Sequence, residues 1–413
     1  MTRLFTGGYW YFICQQWPLL MFGFLTVFIG NVGQSFFLSW YGAHIQSSLG
    51  MSASNYGFIY AIATLSSSLL ILFTGSLIDR YSTNLIISIV SILLALSCIL
   101  MANVSSALML FFSFLGLRFA GQGLFPHTAQ TIMIRTYTHQ RGKALSLSAS
   151  GVAVGEMVLP TILMSMILLM GWRESWLALS CIIMFLYLPC AFALLRKSVR
   201  SFKEKADYIV GDIVDNSLGR RDVIRDWRFW SVIPAVLSAP FIVTGVFIQQ
   251  GFLLEQKGWS AGLLAGSFVA YGFLHWISSM WSGSLVDRYG AKSLLPFLPI
   301  PIISGLLVLT FLHQEWSATL FMLLFGLGIG ASSPVFSALW AEMYGTKNIG
   351  AIRSMVTSMM IFSTAAAPWI FGLLIEKGWC VSQVFGLLTI VITAVLCLLL
   401  PACYSFRKVK SVT

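Results

Sequence analysis

Apolar residues occur in blocks of about 20 along the whole chain, and short polar stretches separate these blocks. A helix of that length crosses roughly 30 Å of hydrocarbon and satisfies its own backbone hydrogen bonds. The blocks lack the roughly ten-residue alternation of an outer-membrane barrel. The pattern therefore predicts an all-α membrane protein with twelve transmembrane helices, at residues 18–40, 54–78, 84–103, 106–134, 142–168, 174–195, 229–252, 262–286, 293–312, 315–342, 349–375 and 381–404.

The composition also indicates a membrane protein. Hydrophobic residues make up 58% of the chain and charged residues only 9%, whereas soluble domains carry about 25% charged residues. The first apolar block is a full span without a small-residue cleavage site after it, so we expect it to remain as helix 1. The seven cysteines lie scattered in apolar segments without C-x-x-C pairs, which predicts buried small hydrophobes and no metal or other cofactor.

Basic residues concentrate in one set of connections. The segment 196–228 carries nine basic and six acidic residues and separates the first six predicted helices from the second six. Because retained Lys and Arg mark cytoplasmic loops, this segment and both termini are predicted to be cytoplasmic, in a multi-pass protein of the cytoplasmic membrane. The same rule explains the net charge of +11 without a nucleic-acid partner. The predicted domains are an N-terminal six-helix bundle, 1–195, a cytoplasmic linker, 196–228, and a C-terminal six-helix bundle, 229–413.

The two halves of the chain repeat at a constant offset of 208 residues. Coincidence at four separate landmarks indicates a tandem duplication in which both copies have the same topology. The four matched pairs are Gly50 and Gly258, Asp79 and Asp287, Gly142 and Gly350, and Pro160 and Pro368.

The sequence GSLIDR at residues 75–80 returns as GSLVDR at 283–288. Both copies resemble the G-x-L-x-D-R loop between helices 2 and 3 of the major facilitator superfamily and its counterpart between helices 8 and 9. The resemblance covers essentially the whole chain and implies a rocker-switch transporter with a central cavity between two six-helix bundles. Gly75 and Gly283 would permit close helix approach, and Asp79 and Asp287 would cap the N-terminus of a helix.

We therefore expect these loops to act as gates that latch the outward-open state, with Asp79 more important than Asp287. The alternative is that the loops only anchor the topology. Glu342 and Arg353 lie near helix ends, shallow enough to join the same gate. The predicted gating residues are Asp79, Arg80, Asp287, Arg288, Glu342 and Arg353.

Two ionisable side chains lie near the middle of predicted helices, a costly position that marks a function by default. Arg118 of helix 4 stands in RFAGQG, which resembles the superfamily motif R-x-x-Q-G except that Gln122 comes one residue late. We expect Arg118 to bind an anionic substrate or to tune its neighbour. Glu156 of helix 5 is expected to accept and release a coupling proton. A fixed structural ion pair between Arg118 and Glu156 is the alternative.

Further polar residues are candidates for substrate binding, because helices 1, 4, 7 and 10 line the cavity in the resembling family. Helix 1 carries Tyr41 and also Asn31 and Gln34, which are predicted to share one face at i, i+3. Helix 8 carries Tyr271 and His275, and His275 could relay protons or bind an anion. For each residue the alternative is a structural hydrogen bond or simple packing.

These residues predict secondary active transport of a small organic anion, coupled to protons. RFAGQG and RGKALSLSASG resemble the monocarboxylate and oxalate/formate branch of the superfamily, which implies a carboxylate. Proton-driven efflux of an amphipathic drug or siderophore is the alternative, favoured by the many Phe and Met residues.

A receptor or scaffold is disfavoured by the buried charges, and the absence of P-loop, G-x-S-x-G and H-E-x-x-H motifs argues against an enzyme. The expected partners are the solute, protons and membrane lipids, and we expect a monomer.

Overall fold

The regular structure of the chain is helical. The structure is a computed structural model that describes residues 9–74, 81–137, 141–202, 220–345 and 349–410. No strand occurs within these ranges. We label the long helices α1 to α12 in chain order.

The first six helices follow the predicted order. α1 comprises Tyr9–Gly30 and Ser35–Leu49 around the 3₁₀ turn Asn31–Gly33; α2 is Ala53–Thr74; α3 is Thr83–Ala102; α4 comprises Ala107–Gly116, the π-helical Leu117–Leu124 and Phe125–Thr136; α5 is Arg141–Met170; α6 comprises Trp172–Cys181, the π-helical Ile182–Tyr187 and Leu188–Phe202.

The second six helices come after a short helix, Arg220–Arg225. α7 comprises Trp227–Ile248 and Gln250–Lys257; α8 is Ala261–Tyr289; α9 comprises Ala291–Leu294, the 3₁₀ turn Leu295–Phe297 and Pro299–Phe311; α10 is Trp316–Tyr344; α11 is Ile349–Glu376; α12 is Val381–Lys410.

Each predicted transmembrane helix has an observed counterpart. In the described ranges, eleven helices are long and apolar enough to cross a membrane. The remaining long helix, α2, has 22 residues, which span about 33 Å at about 1.5 Å per residue. The predicted all-α membrane fold is therefore confirmed.

Several helices run past the ends that the sequence predicts, and in two of them a glycine shows the reason. α1 was expected to end at Trp40, where the apolar block gives way to polar residues, but the helix continues to Leu49 and stops at Gly50 with φ 59°. α8 likewise continues to Tyr289, and Gly290 with φ 79° makes the turn into α9. In both places a glycine in the left-handed region, rather than the loss of hydrophobicity, ends the helix.

The duplication is visible in the helix boundaries. α2 and α8 begin at 53 and 261, and α3 and α9 at 83 and 291, each pair 208 residues apart. Gly50 and Gly258, which occupy matched positions, both adopt positive φ, 59° and 67°. The landmark pair Gly50 and Gly258 therefore corresponds to equivalent helix ends.

The contacts divide the chain into two compact units. Unit 1 contains residues 1–38, 66–155 and 165–212, and unit 2 contains residues 39–65, 156–164 and 213–413. Unit 2 thus combines the second-half helices with two segments from the first half, which belong to α1, α2 and α5. We call the contacts of these two segments with the second-half helices the seam.

Basic side chains cap the C-terminal ends of α3 and α9. In unit 1, Arg173 donates to the carbonyl oxygens of Ala102 and Val104 at 2.8 and 3.0 Å. In unit 2, Lys257 Nζ donates to the Leu312 carbonyl oxygen at 2.7 Å. Val104 and Leu312 are matched by the 208-residue offset. A helix C-terminus lacks amide donors for its last carbonyls, so both copies use a cation at the same place.

We expect Lys257→Met to lower the free energy of unfolding by about 1.5–3 kcal/mol, the usual worth of a hydrogen bond to a charged group. Lys257 is 8% exposed, and methionine in its place offers the Leu312 carbonyl no donor. Thermal unfolding in detergent, followed by tryptophan fluorescence, measures the change. The control is Lys377→Met, which alters an exposed lysine. Equal melting temperatures for the two variants would contradict the capping role.

The pH dependence gives a second test of the same contact. Burial lowers the pKa of Lys257 below its ordinary value of 10.5. The unfolded chain therefore binds more protons than the folded protein in the window between the lowered pKa and 10.5, and stability rises with pH there. The parent protein should gain stability relative to Lys257→Met as pH rises through that window.

Candidate functional site

In unit 1, the turn that interrupts α1 packs directly against the π-helical segment of α4. A Cβ at Gly121 would lie 2.7 Å from the Gly33 nitrogen and 2.8 Å from the Gly33 Cα. A Cβ at Gly33 would overlap the Leu117 carbonyl oxygen, and one at Gly30 would lie 2.8 Å from the Gly121 carbonyl oxygen. Only glycine permits this approach of two backbones, which places α1 and α4 in register around Arg118.

Arg118 lies in the π-helical segment and is 1% exposed. Its Nη1 donates to the Gly33 carbonyl oxygen at 3.0 Å, so the guanidinium is fixed against the turn in α1. A π-helix carries one extra residue per turn, because its hydrogen bonds run from i to i+5. This insertion explains why Gln122 follows Arg118 one residue later than the superfamily motif requires.

The α1 candidates are arranged differently from the regular helix that the sequence suggested. Asn31 lies in the 3₁₀ turn, and its Nδ2 donates to the Gly151 carbonyl oxygen of α5 at 2.9 Å. Gln34 follows the turn with extended backbone, φ −80° and ψ 153°, and is half-buried. The prediction that Asn31 and Gln34 share a helical face at i, i+3 is therefore wrong, because the chain leaves the α-helix between them. Tyr41, in unit 2, is fully buried.

In unit 2, Glu156 is bound by the two candidates on α8. Its Oε2 lies 2.5 Å from His275 Nδ1, and Tyr271 lies near the carboxylate. The side chains of His275 and Glu156 are 16% and 8% exposed. Tyr271 and His275 are one turn apart on α8, with ring centroids 5.9 Å apart. The seam therefore contains a buried carboxylate–imidazole pair that joins α5 of the first half to α8 of the second.

Glycines of α10 support the backbone that carries Tyr271 and His275. A Cβ at Gly326 would overlap the Tyr271 carbonyl oxygen, and one at Gly330 would overlap the His275 carbonyl oxygen. This G-x-x-x-G spacing lets α8 and α10 cross at backbone contact, as small residues do in membrane helix pairs. The position of the imidazole is thus fixed by a neighbouring helix.

A second part of the seam lies at the start of α2. Gln249, at the break in α7, donates through Nε2 to the carbonyl oxygens of Ala53 and Pro368, both at 3.2 Å. The Ser54 amide donates to Glu376 Oε1 of α11 at 3.2 Å. Sequence reasoning did not single out Glu376, because its only signal was a carboxylate next to a basic residue in a short connection.

The gating candidates are only partly described. Glu342 accepts from the amides of Ala291 and Lys292 at 2.7 and 3.4 Å, so it caps the N-terminus of α9. Arg288 is exposed and stacks on Tyr289, with 5.2 Å from its Cζ to the ring centroid. The other four gating candidates lie outside the described residues: Asp79 and Arg80 entirely, and Asp287 and Arg353 in their side chains.

The expected close helix approach is not observed at Gly283 among the described residues, and Gly75 lies outside them. A Cβ added at Gly283 would meet no atom within 4 Å, so no described helix approaches there. The close contacts of α8 lie farther toward its start, where Gly326 and Gly330 of α10 touch it.

A sequence model of the major facilitator superfamily matches residues 21–297 and, in a second match, residues 243–411. The chain belongs to the major facilitator superfamily. It is therefore a multi-pass membrane transporter, and the fold has six helices in each half. No curated protein sequence matches the chain.

Two solved structures of this superfamily resemble the chain, both of a bacterial homolog of the human lysosomal transporter Spinster. The inward-facing, unoccupied structure gives a TM-score of 0.61 at 15% identity, covering 94% of this chain and 96% of that chain. The inward-facing, occupied structure gives a TM-score of 0.64 at 13% identity, covering 93% and 94%. The likeness shows that the fold described above is the superfamily fold.

We expect Gly121→Ala to destabilise the contact between α1 and α4 by about 1–3 kcal/mol, because the added methyl must push apart two backbones. Thermal unfolding in detergent measures the loss. Gly123→Ala is the matched control, since a Cβ there meets the flexible end of the Ile71 side chain. Equal melting temperatures for Gly121→Ala and Gly123→Ala would contradict a close backbone contact at Gly121.

Proposed function

We propose that this transporter is a secondary active transporter that moves a small organic anion, a carboxylate, across the cytoplasmic membrane by alternating access with proton coupling. The observation that carries the proposal is the buried pair of Glu156 and His275, with Tyr271 as a further partner of the carboxylate. Glu156 belongs to the first half and His275 to the second, so separating the halves at the seam separates the pair.

The coupling follows from the cost of burying charge. With one proton between them, Glu156 and His275 form either a neutral pair or an ion pair, and neither leaves a net charge in the seam. Without that proton, closing the seam buries a lone carboxylate, which costs several kcal/mol. An open seam exposes both groups to water for proton exchange. Proton uptake therefore permits closure, and proton release accompanies opening.

The remainder of the seam must separate in the same movement. A Cβ at Gly57 of α2 would overlap the Pro368 carbonyl oxygen of α11, and one at Gly372 would lie 2.7 Å from the Ala53 carbonyl oxygen. The hydrogen bonds that Gln249 makes to Ala53 and Glu376 makes to Ser54 exchange for water in that movement.

Arg118 is proposed to recognise the anion. A guanidinium offers several donors in a planar fork that matches a carboxylate, and Arg118 uses Nη1 on the Gly33 carbonyl. Asn31 Oδ1 is buried, and no described residue donates to it. Asn31 can therefore accept a hydrogen bond from the substrate or from a water molecule. An anion bound here lowers the cost of keeping Arg118 away from water.

We expect Glu156→Gln to lose proton-driven accumulation by at least about 10-fold, since general proton-transfer groups contribute about 100-fold or more. Uptake of radiolabelled lactate into proteoliposomes with an imposed pH gradient measures accumulation, and lactate exchange without a gradient should persist. His275→Gln should likewise lose proton-driven accumulation and keep lactate exchange. Glu255→Gln changes an exposed glutamate and serves as the control. Normal accumulation in Glu156→Gln would remove this residue from coupling.

We expect Arg118→Lys to weaken carboxylate uptake by about 10-fold or more, because lysine keeps the charge but loses the fork. The same proteoliposomes are tested with lactate, with ferric siderophores and with cationic dyes. Arg288→Lys alters an exposed arginine and is the control. Dye or siderophore transport that is indifferent to Arg118→Lys would overturn the carboxylate proposal in favour of efflux.

A further inference from the structure

A short, arginine-rich stretch of unit 2 leads into α7, and we call residues 220–230 the basic segment. It begins with the helix Arg220–Arg225. Asp226 follows, and its Oδ1 accepts the Arg228 amide at 2.9 Å, so α7 starts at Trp227. The segment carries four arginines against two aspartates. None of these residues takes part in the recognition or the coupling proposed above.

One side of the basic segment is anchored in the protein. Val223 and Phe229 are fully buried and belong to one apolar cluster of the second-half helices. The Tyr344 hydroxyl, at the end of α10, donates to Asp226 Oδ2 at 3.2 Å. These contacts fix the orientation of the segment, and so they determine which side chains point away from the protein.

Two arginines lie on the opposite side. Arg221 and Arg225 are one turn apart on the short helix, and both are exposed. At 3.6 residues per turn, both lie on the side of that helix opposite to Val223. Side chains four residues apart have Cβ atoms about 5–6 Å from each other, so both guanidinium groups can reach one phosphate. Each offers a planar fork of donors that matches phosphate oxygens.

Large apolar side chains lie exposed beside these arginines. Ile224, Trp227 and Trp230 are 46%, 53% and 50% exposed. Trp227 and Trp230 share a face of α7 at i, i+3. Trp230 Nε1 donates to the Ile224 carbonyl oxygen at 2.7 Å, which places its ring against the end of the short helix. An exposed apolar patch with polar neighbours marks an interaction surface, and tryptophan is enriched where a membrane meets water.

The length of α7 gives the depth of this surface. Its first part, Trp227–Ile248, has 22 residues and spans about 33 Å at about 1.5 Å per residue, close to the roughly 30 Å of bilayer hydrocarbon. Trp227 therefore lies where hydrocarbon gives way to headgroups. Arg221 and Arg225 precede it along the chain and lie at the level of the phosphates. The partner that meets this surface is a lipid.

We propose that the basic segment binds an anionic phospholipid, with the headgroup phosphate held between Arg221 and Arg225. The glycerol and the acyl chains lie against Trp227 and Trp230. The arginine pair supplies the preference for a net negative headgroup, and the indole rings supply a contact that any phospholipid can make. The site is separate from the solute and proton sites, and it does not depend on the carboxylate proposal.

The duplicated scaffold does not require these two cations. The 208-residue offset matches Arg221 and Arg225 with Ile13 and Trp17, so the first half carries no charge at either position. The alternative is that the two arginines only orient α7 in the membrane, since retained basic residues mark cytoplasmic helix ends. Lipid affinity separates these two roles, because orientation alone gives no preference between headgroups.

The test is lipid binding to the purified full-length protein in detergent, measured by native mass spectrometry. The probes are dioleoyl phosphatidylglycerol and dioleoyl phosphatidylcholine, which share their chains and phosphate and differ in net charge. We expect the tightest site to prefer phosphatidylglycerol by at least about 10-fold, since each basic residue near an anionic surface contributes about 5-fold. The double variant Arg221→Gln/Arg225→Gln should lose about 10-fold in phosphatidylglycerol affinity and bind phosphatidylcholine as the parent does.

Three further variants test the assignment. Trp227→Ala should weaken both lipids by a similar factor, because the ring contacts parts that both share. Arg221→Lys/Arg225→Lys keeps the charge and should retain most of the preference. Lys377→Gln removes an exposed cation elsewhere and should change nothing. Equal affinity of the parent for the two lipids would overturn the inference. An unchanged phosphatidylglycerol affinity in the double glutamine variant would also overturn it and leave the arginines the orienting role alone.

Discussion

The contact between Glu156 and His275 is the interaction on which the arrangement of unit 2 depends. It joins two ionisable groups that are largely buried, so their hydrogen bond and charge must balance mostly within the protein. One group comes from each half of the chain. Any movement that separates the halves at the seam must therefore change the protonation or the hydration of this pair, which links a conformational change to a chemical one.

Polar backbone groups at membrane depth must find partners within the protein, as polar side chains must. A 3₁₀ turn in α1 and a π-helical segment in α4 both disturb the regular ladder, and each disturbance is placed against protein. Glycines allow the contact, and Arg118 donates to a carbonyl of the turn. Irregular backbone at membrane depth is tolerated only where protein or a cavity lines it. In unit 1 the two irregular segments thus hold Asn31 and Arg118.

The sequence predicted twelve spans and the duplication because span length and repeated landmarks are local properties. It could not predict the partner of Glu156, because His275 is 119 residues away in the chain. The sequence shows that Gln122 comes one residue late but does not show the π-helical segment that accounts for it. Hydropathy does not distinguish a π-helix from an α-helix. The sequence predicted close helix approach at Gly283 because a glycine permits such an approach. Whether the approach occurs depends on the neighbouring helix, which the sequence does not place.

The 208-residue offset shows how a duplicated scaffold acquires separate functions. The helix starts recur in both halves, yet each ionisable group at membrane depth occurs once. Arg118 corresponds to Gly326, the glycine that lets α10 touch the backbone of Tyr271. One scaffold position therefore carries a cation in the first half and supports the backbone of Tyr271 in the second. Duplication gave two halves with equivalent helices, and later substitutions left each buried ionisable residue in only one half. The counterparts of Glu156, His275 and Tyr271 are Thr364, Ser67 and Ala63.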